Sequence, residues 1–220
     1  MRINIASLLR PHLRQLQPYT SARDEYSGSE GVFLDANENP FGSSTSQNFN
    51  RYPDPYQIAL KEEIAKIKGA KPAQVFLGNG SDEAIDLLFR AFCNPGQDNV
   101  ILLPPTYGMY GVSAAINGVE VRNVPLTPDF QLQPEKILAA ADAHSKILFI
   151  CSPNNPSGNA VKREDILFLL ENFPGIVVVD EAYIDFSEAS SLISVLDPNG
   201  FSLASKNTPS LPLYSSRAEV

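Results

Sequence analysis

The chain is poor in histidine and cysteine, the side chains on which many metal centres are built. Its 220 residues include two histidines, His12 and His144, and two cysteines, Cys93 and Cys151. Neither histidine stands near a second ligand at metal-binding spacing, which argues against a zinc centre. Both cysteines lie inside apolar stretches, where the residue behaves as a small buried hydrophobe, and such usage suits a reducing compartment such as the cytoplasm. No serine stands in G-x-S-x-G, no lysine follows a glycine loop as in a Walker sequence, and G-x-G-x-x-G is missing. Those hydrolase, P-loop and dinucleotide signatures are therefore excluded. No apolar run approaches the roughly 18 residues that a bilayer span requires. Lys and Arg number 17 against 25 Asp and Glu, a formal charge of −8. With no block of like charge, neither a nucleic-acid surface nor a membrane partner is expected. Arg2, Arg10, Arg14 and Arg23 occur without an acid in the first 23 residues; the stretch reads as a mobile arm, with an organellar signal as the alternative.

What is present is an alternation. Hydrophobic residues make up 43% of the chain, enough for one large domain or part of a larger one. "GVFLD", "QVFLG", "NVILLP", "VEVRNV", "KILFICS" and "GIVVVDEAY" read as strands, several apolar on both faces and therefore central in a covered sheet. Between them, "PYQIALKEEIAKIKGA" carries Ile58, Ile64, Ala65 and Ile67 near one face and stops at Gly69. "SDEAIDLLFRAFC" opens on Ser81 as a plausible N-cap. "YGMYGVSAAING", "PEKILAAADA" and "KREDILFLLENF" complete the helices. The pattern predicts an α/β fold of three layers, α/β/α, around a mostly parallel sheet. The expected divisions are an arm over 1–30, an incomplete large domain over 31–196 and an atypical tail over 197–220.

In such sheets ligands sit beyond the carboxyl ends of the strands, and four loops there carry unusual residues. "GNGSDEA" joins two glycines to a helix N-terminus, a candidate anion site around Gly80, Ser81 and Asp82, unless it is an ordinary turn. "PPTYGMYG" offers Tyr107 as a ring for stacking, or as a structural tyrosine. "CSPNNPSG" holds Asn154 and Asn155 between Pro153 and Pro156, which should keep the chain extended and an asparagine amide immobile. "DEAY" places Asp180 after a fully apolar strand, where an ionised carboxylate is costly without a cation or strong donor, with Tyr183 three residues on. Phosphate cradle, stacking ring, fixed amide and buried acid beside a phenol are together what pyridoxal 5′-phosphate requires.

Taken in order, "LDANENPFG", "NRYPDP", "GNGSDEAIDLLFRAF", "PPTYGMY", "CSPNNPSG" and "VVVDEAYIDF" resemble the fold-type I pyridoxal-phosphate aminotransferases, and within them the histidinol-phosphate aminotransferase family. The likeness runs from about Arg10 to about Leu196. It implies that Gly80, Ser81 and Asp82 hold the cofactor phosphate, that Tyr107 stacks on the ring, and that Asn155 and Tyr183 bond its phenolic oxygen. Asp180 would pair with the pyridine nitrogen. Tyr52 would reach across a homodimer interface to the partner's phosphate, and Tyr19 and Asn37 would lie near the substrate. The implied reaction is amino transfer between glutamate and imidazole-acetol phosphate, giving histidinol phosphate and 2-oxoglutarate. Threonine-phosphate decarboxylases and aromatic aminotransferases share most of these motifs, and a non-catalytic fragment that binds only the cofactor or a full-length partner is a further alternative. The departure lies in the tail: Ser205-Lys206 resembles the family's Ser-Lys motif, but Asn207, Thr208 and Pro209 follow instead of its glycine and arginine. Lys206 is therefore a weak candidate for the cofactor-binding lysine, and the chain is expected to be truncated and inactive by itself.

Overall fold

Four of the apolar runs become adjacent strands of one sheet. In the computed structural model, which describes residues 5–21, 31, 32 and 34–195 and the backbone of 210–213, these are β1 (Asn99–Leu102), β2 (Glu120–Asn123), β3 (Ser145–Cys151) and β4 (Ile176–Asp180), joined by β5 (Ser210–Leu213). Every pairing is parallel, in the order β2-β1-β3-β4-β5. β1 and β4 are buried along their whole length and β3 nearly so, whereas β2 is mostly half-buried or exposed. Apolarity on both faces thus sorts the central strands from the β2 edge.

The helices are α1 (Ile5–Leu8), α2 (Ile58–Lys68), α3 (Ser81–Phe92), α4 (Met109–Ile116), α5 (Pro134–Ala140) and α6 (Arg163–Asn172). Side chains alternate across a strand, so the sheet feeds two separate cores. Ile101, Leu148, Ile150, Val177 and Val179 pack with Ile137, Ile166 and Leu169 of α5 and α6. Val100, Leu102, Ile147, Phe149 and Val178 pack with Ile85, Phe89 and Tyr110 of α3 and α4. This is the three-layer arrangement read from the sequence, with each buried side chain of this size contributing roughly 1.5–3 kcal/mol.

Three expectations need correction. "GVFLD" and "QVFLG" form no strand among the described residues; Val32, Leu34 and Phe76 are largely exposed. A ladder needs a partner backbone, and the apolar pattern that suggested these strands cannot supply one. On α2 the supposed apolar face is mostly open: Ala65 is buried, but Ile58 and Ile67 are at least half exposed. Its end is as expected, with Gly69 at φ 71° as a left-handed cap. The arm is not wholly mobile either. Ile5, Leu8 and Leu9 pack against the α3/α4 core, and the Arg10 amide and guanidinium donate to the carbonyls of Ala91 and Arg90 at 3.0 and 3.1 Å. None of the described helices is long and apolar enough to cross a membrane.

Candidate cofactor site

Because all the strands run one way, the loops after β1, β3 and β4 emerge at the same edge. Asp180, the last residue of β4, is 3% exposed there. Its Oδ2 accepts the Tyr110 hydroxyl at 2.7 Å and its Oδ1 accepts the Ala182 amide at 3.0 Å. Burial raises its pKa above the usual carboxylate range; the bonds from Tyr110 and Ala182 oppose this, and the charges of Asp82 and Glu181 add to it. No cationic side chain pairs with it among the described residues. A buried carboxylate in that state favours a ligand that brings a proton or a positive charge.

The loop after β1 carries Tyr107, half-buried, whose hydroxyl donates to Asp82 Oδ1 at 3.1 Å. Burial first, then the Asp82 hydrogen bond, raise its pKa. Its ring meets that of Tyr110 edge-on at 5.5 Å, and Tyr110 stacks on Phe149 at 4.7 Å. A continuous contact therefore runs from the start of α3 through both tyrosines to Asp180.

At α3 the cap is Gly80, at φ 80° and ψ 178°, and Ser81 is the first helical residue instead of the expected N-cap. No side chain caps the helix. Glu83 turns back to accept the backbone and side-chain amides of Asn79. Among the described residues no side chain takes the first-turn N–H groups as a cap, and the helix dipole favours an anion there.

The loop after β3 is not extended as expected. The Ser152-Pro153 and Asn155-Pro156 peptide bonds are cis, and the loop folds back on itself through Asn154 N–H to Asn159 O at 2.8 Å and Gly158 N–H to Asn154 O at 2.7 Å. The two asparagines divide their work. Asn154 is buried, its amide donating to Pro105 O at 3.0 Å and Ser157 Oγ at 2.7 Å. Asn155 is half-buried, and its side-chain amide has no hydrogen-bond partner among the described residues.

Tyr183 follows Asp180 and opens a short 3-10 turn, Ile184–Phe186, with 41% of its surface exposed. Gly80, Ser81, Asp82, Tyr107, Asn155, Asp180 and Tyr183 thus lie on the helix start and loops at one sheet edge. Tyr19 and Asn37 are exposed. Tyr52 is 63% exposed, its backbone amide held by Glu38 at 2.7 Å. Lys206 lies outside the described residues. Two functional-looking groups escaped the sequence reading. Tyr110 could have been found as the second tyrosine of "TYGMY", placed so that both rings share one helix start. Glu181, 2% exposed, holds the 191–192 segment by accepting from Ser191 Oγ and the Leu192 amide, each at 2.7 Å; nothing in "DEAY" signals that.

Residues 26–208 match the family described as aminotransferase class I and II. A relative from Cytophaga hutchinsonii, a histidinol-phosphate aminotransferase, is 53% identical over 197 residues, covering 90% of this chain and 57% of that protein. Another of the same name from Flavobacterium johnsoniae is 55% identical over 197 residues, covering 88% and 55%. The chain therefore spans somewhat more than half the length of these relatives. Among solved structures, the histidinol-phosphate aminotransferase of Sinorhizobium meliloti in complex with pyridoxal-5′-phosphate superposes with a TM-score of 0.64 at 22% identity, over 75% of this chain and 44% of that one. The L-threonine-O-3-phosphate decarboxylase of Porphyromonas gingivalis superposes with a TM-score of 0.57 at 22% identity, over 75% and 48%. Both likenesses establish the fold.

Proposed function

We propose that this chain, which belongs to the class I and II aminotransferase family, holds pyridoxal 5′-phosphate at the carboxyl edge of its sheet and supplies the cofactor-binding part of a histidinol-phosphate aminotransferase. The observation that carries the reading is Asp180: a buried carboxylate with two neutral donors and, among the described residues, no cation, at the edge where the α3 start and a stacking ring also stand. That donor set fits the cofactor. The first turn of α3, with Ser81 and Asp82, would take the phosphate; Tyr107 would cover a ring face; Asn155 and Tyr183 would donate to the phenolic oxygen. When bound, pyridoxal phosphate supplies an electron sink for the bonds at the substrate's α-carbon.

The chain's own residues prepare that sink. Asp180 would hold a proton on the ring nitrogen, where burial keeps competing water away. Its raised proton affinity is matched to sharing a proton instead of standing as an isolated charge. Asn154 holds the Asn155 loop against the β1 loop, so that the free amide is presented with little freedom left to lose. Amino transfer between glutamate and imidazole-acetol phosphate is the reaction supported by the names of relatives more than half identical to this chain. A homodimer with Tyr52 at its interface is part of the same proposal, and the buried, unpaired Cys93 and Cys151 suit a cytoplasmic setting.

Two measurements test this. Pyridoxal phosphate should bind the chain with one site, and Asp180→Asn should weaken it about tenfold, the loss expected for one charge-assisted contact; equal binding would remove Asp180 from the site. A stable reduced conjugate of the cofactor with histidinol phosphate should then bind more tightly than the conjugates with phenylalanine or threonine phosphate. Equal affinities would leave the cofactor role and overturn the substrate.

A further inference from the structure

Tyr110 sits in the first turn of α4 with no exposed surface. A buried phenol needs a partner for its hydroxyl, and here the partner is the buried carboxylate at the end of β4, Asp180 Oδ2 at 2.7 Å. The ring lies between two others, stacked on Phe149 at 4.7 Å and edge-on to Tyr107 at 5.5 Å. One residue therefore touches both the acid and the stacking ring. Burial, then the neighbouring Asp180 and Cys151, hold the Tyr110 proton far above the usual phenol range, so the group serves as a donor and does not act as a base.

We propose that Tyr110 is the positioning residue of this site: its hydroxyl orients Asp180 and sets how readily that carboxyl takes up a proton, while its ring supports Tyr107. The consequence for cofactor binding rests on Asp180 being the partner of the ring nitrogen. Asp180 is faced by Tyr110 from α4, Asp82 from α3, Cys151 from β3, Tyr107 from the β1 loop and Glu181 from its own segment. Of these, Tyr110 donates to it by side chain; the Ala182 amide is the only other hydrogen-bond donor among the described residues. Loss of the hydroxyl leaves Oδ2 without a bond while the acids remain, so the carboxyl holds its proton more tightly.

The test is Tyr110→Phe, which keeps the ring and removes the donor. In the cofactor-free chain, the carbon-13 signal of the Asp180 carboxyl, assigned by its loss in Asp180→Asn, should titrate about one pKa unit higher in the variant. Pyridoxal phosphate affinity should change in the variant by up to about tenfold, that unit expressed as affinity. A deaza analogue, with carbon replacing the ring nitrogen, should bind both proteins equally. An unchanged carboxyl titration overturns the proposal, because a purely structural tyrosine would alter stability and leave Asp180 alone. If the unaltered chain fails to distinguish pyridoxal phosphate from the deaza analogue, the placement of the cofactor falls, and the carboxyl titration still decides the role of Tyr110. Should Tyr110→Phe not fold, 3-fluorotyrosine at position 110, a stronger donor of nearly the same shape, should lower the Asp180 titration; no shift would again overturn the proposal.

Discussion

The side-chain amide of Asn154 donates to the carbonyl oxygen of Pro105 at 3.0 Å, which joins the loop after β3 to the loop after β1. Its neighbour Asn155, on the same loop, has no side-chain hydrogen-bond partner among the described residues. Adjacent residues of one type thus carry different burdens, and substitution should separate them. Asn154→Ala removes a buried side chain and leaves the Pro105 carbonyl and the half-buried Ser157 hydroxyl short of a donor, so it should cost about 1–2 kcal/mol in urea unfolding. Asn155→Ala should change stability by less than about 0.5 kcal/mol and weaken pyridoxal phosphate binding instead. Equal destabilisation by both would mean that the division is wrong.

Asp180 should make stability depend on pH in a direction opposite to that of an ordinary surface acid. Its folded-state pKa lies above the ordinary value of 3.8, chiefly through burial. Between those two values the folded protein binds more protons than the unfolded chain, so stability falls as pH rises from 3.8 through the folded pKa. Asp180→Asn removes the titration. The stability of the wild type relative to this variant should therefore be greatest below pH 3.8 and decline above it. A difference that stays flat across that range, measured by chemical denaturation at each pH, would show that Asp180 is not destabilised by burial.

The opening of α3 depends on a backbone shape that only glycine accepts readily. Gly80 has φ 80° and ψ 178°, and a methyl group added there would meet nothing within 4 Å. The cost of Gly80→Ala is therefore conformational and not steric, roughly 1–3 kcal/mol. The variant should relieve that strain by shifting the first turn, and affinity for inorganic phosphate should fall with stability. Retained phosphate affinity in a destabilised variant would separate Gly80 from the anion site.

Much of this is legible in the sequence. The both-faces-apolar runs at Ile147–Cys151 and Ile176–Val179 could only be central strands, and a parallel sheet necessarily gathers its loops at one edge. Composition could not show that "QVFLG" has no ladder partner among the described residues, because pairing is a property of two segments. Nor could it separate Asn154 from Asn155, since the decision rests on the Pro105 carbonyl, distant in sequence. Tyr110 was hidden for a related reason: an apolar helix face accounts for a buried tyrosine until the position of Asp180 is known.

Topology also bears on the lysine that such an enzyme needs. β5 runs parallel to β4, with Ser210 beside Val177 and Leu213 beside Asp180. The chain therefore enters this strand at the amino edge of the sheet and leaves it at the carboxyl edge, where Asp180, Tyr107 and Asn155 stand. A lysine serving that edge is expected after such a strand in sequence, as the loops after β1, β3 and β4 serve it. Lys206 precedes β5. Borohydride reduction of the chain in the presence of pyridoxal phosphate should thus leave no selective pyridoxyl label on Lys206 when peptides are mapped by mass spectrometry. Selective labelling of Lys206, lost in Asp180→Asn, would require the strand to pair differently and would restore that lysine to the site.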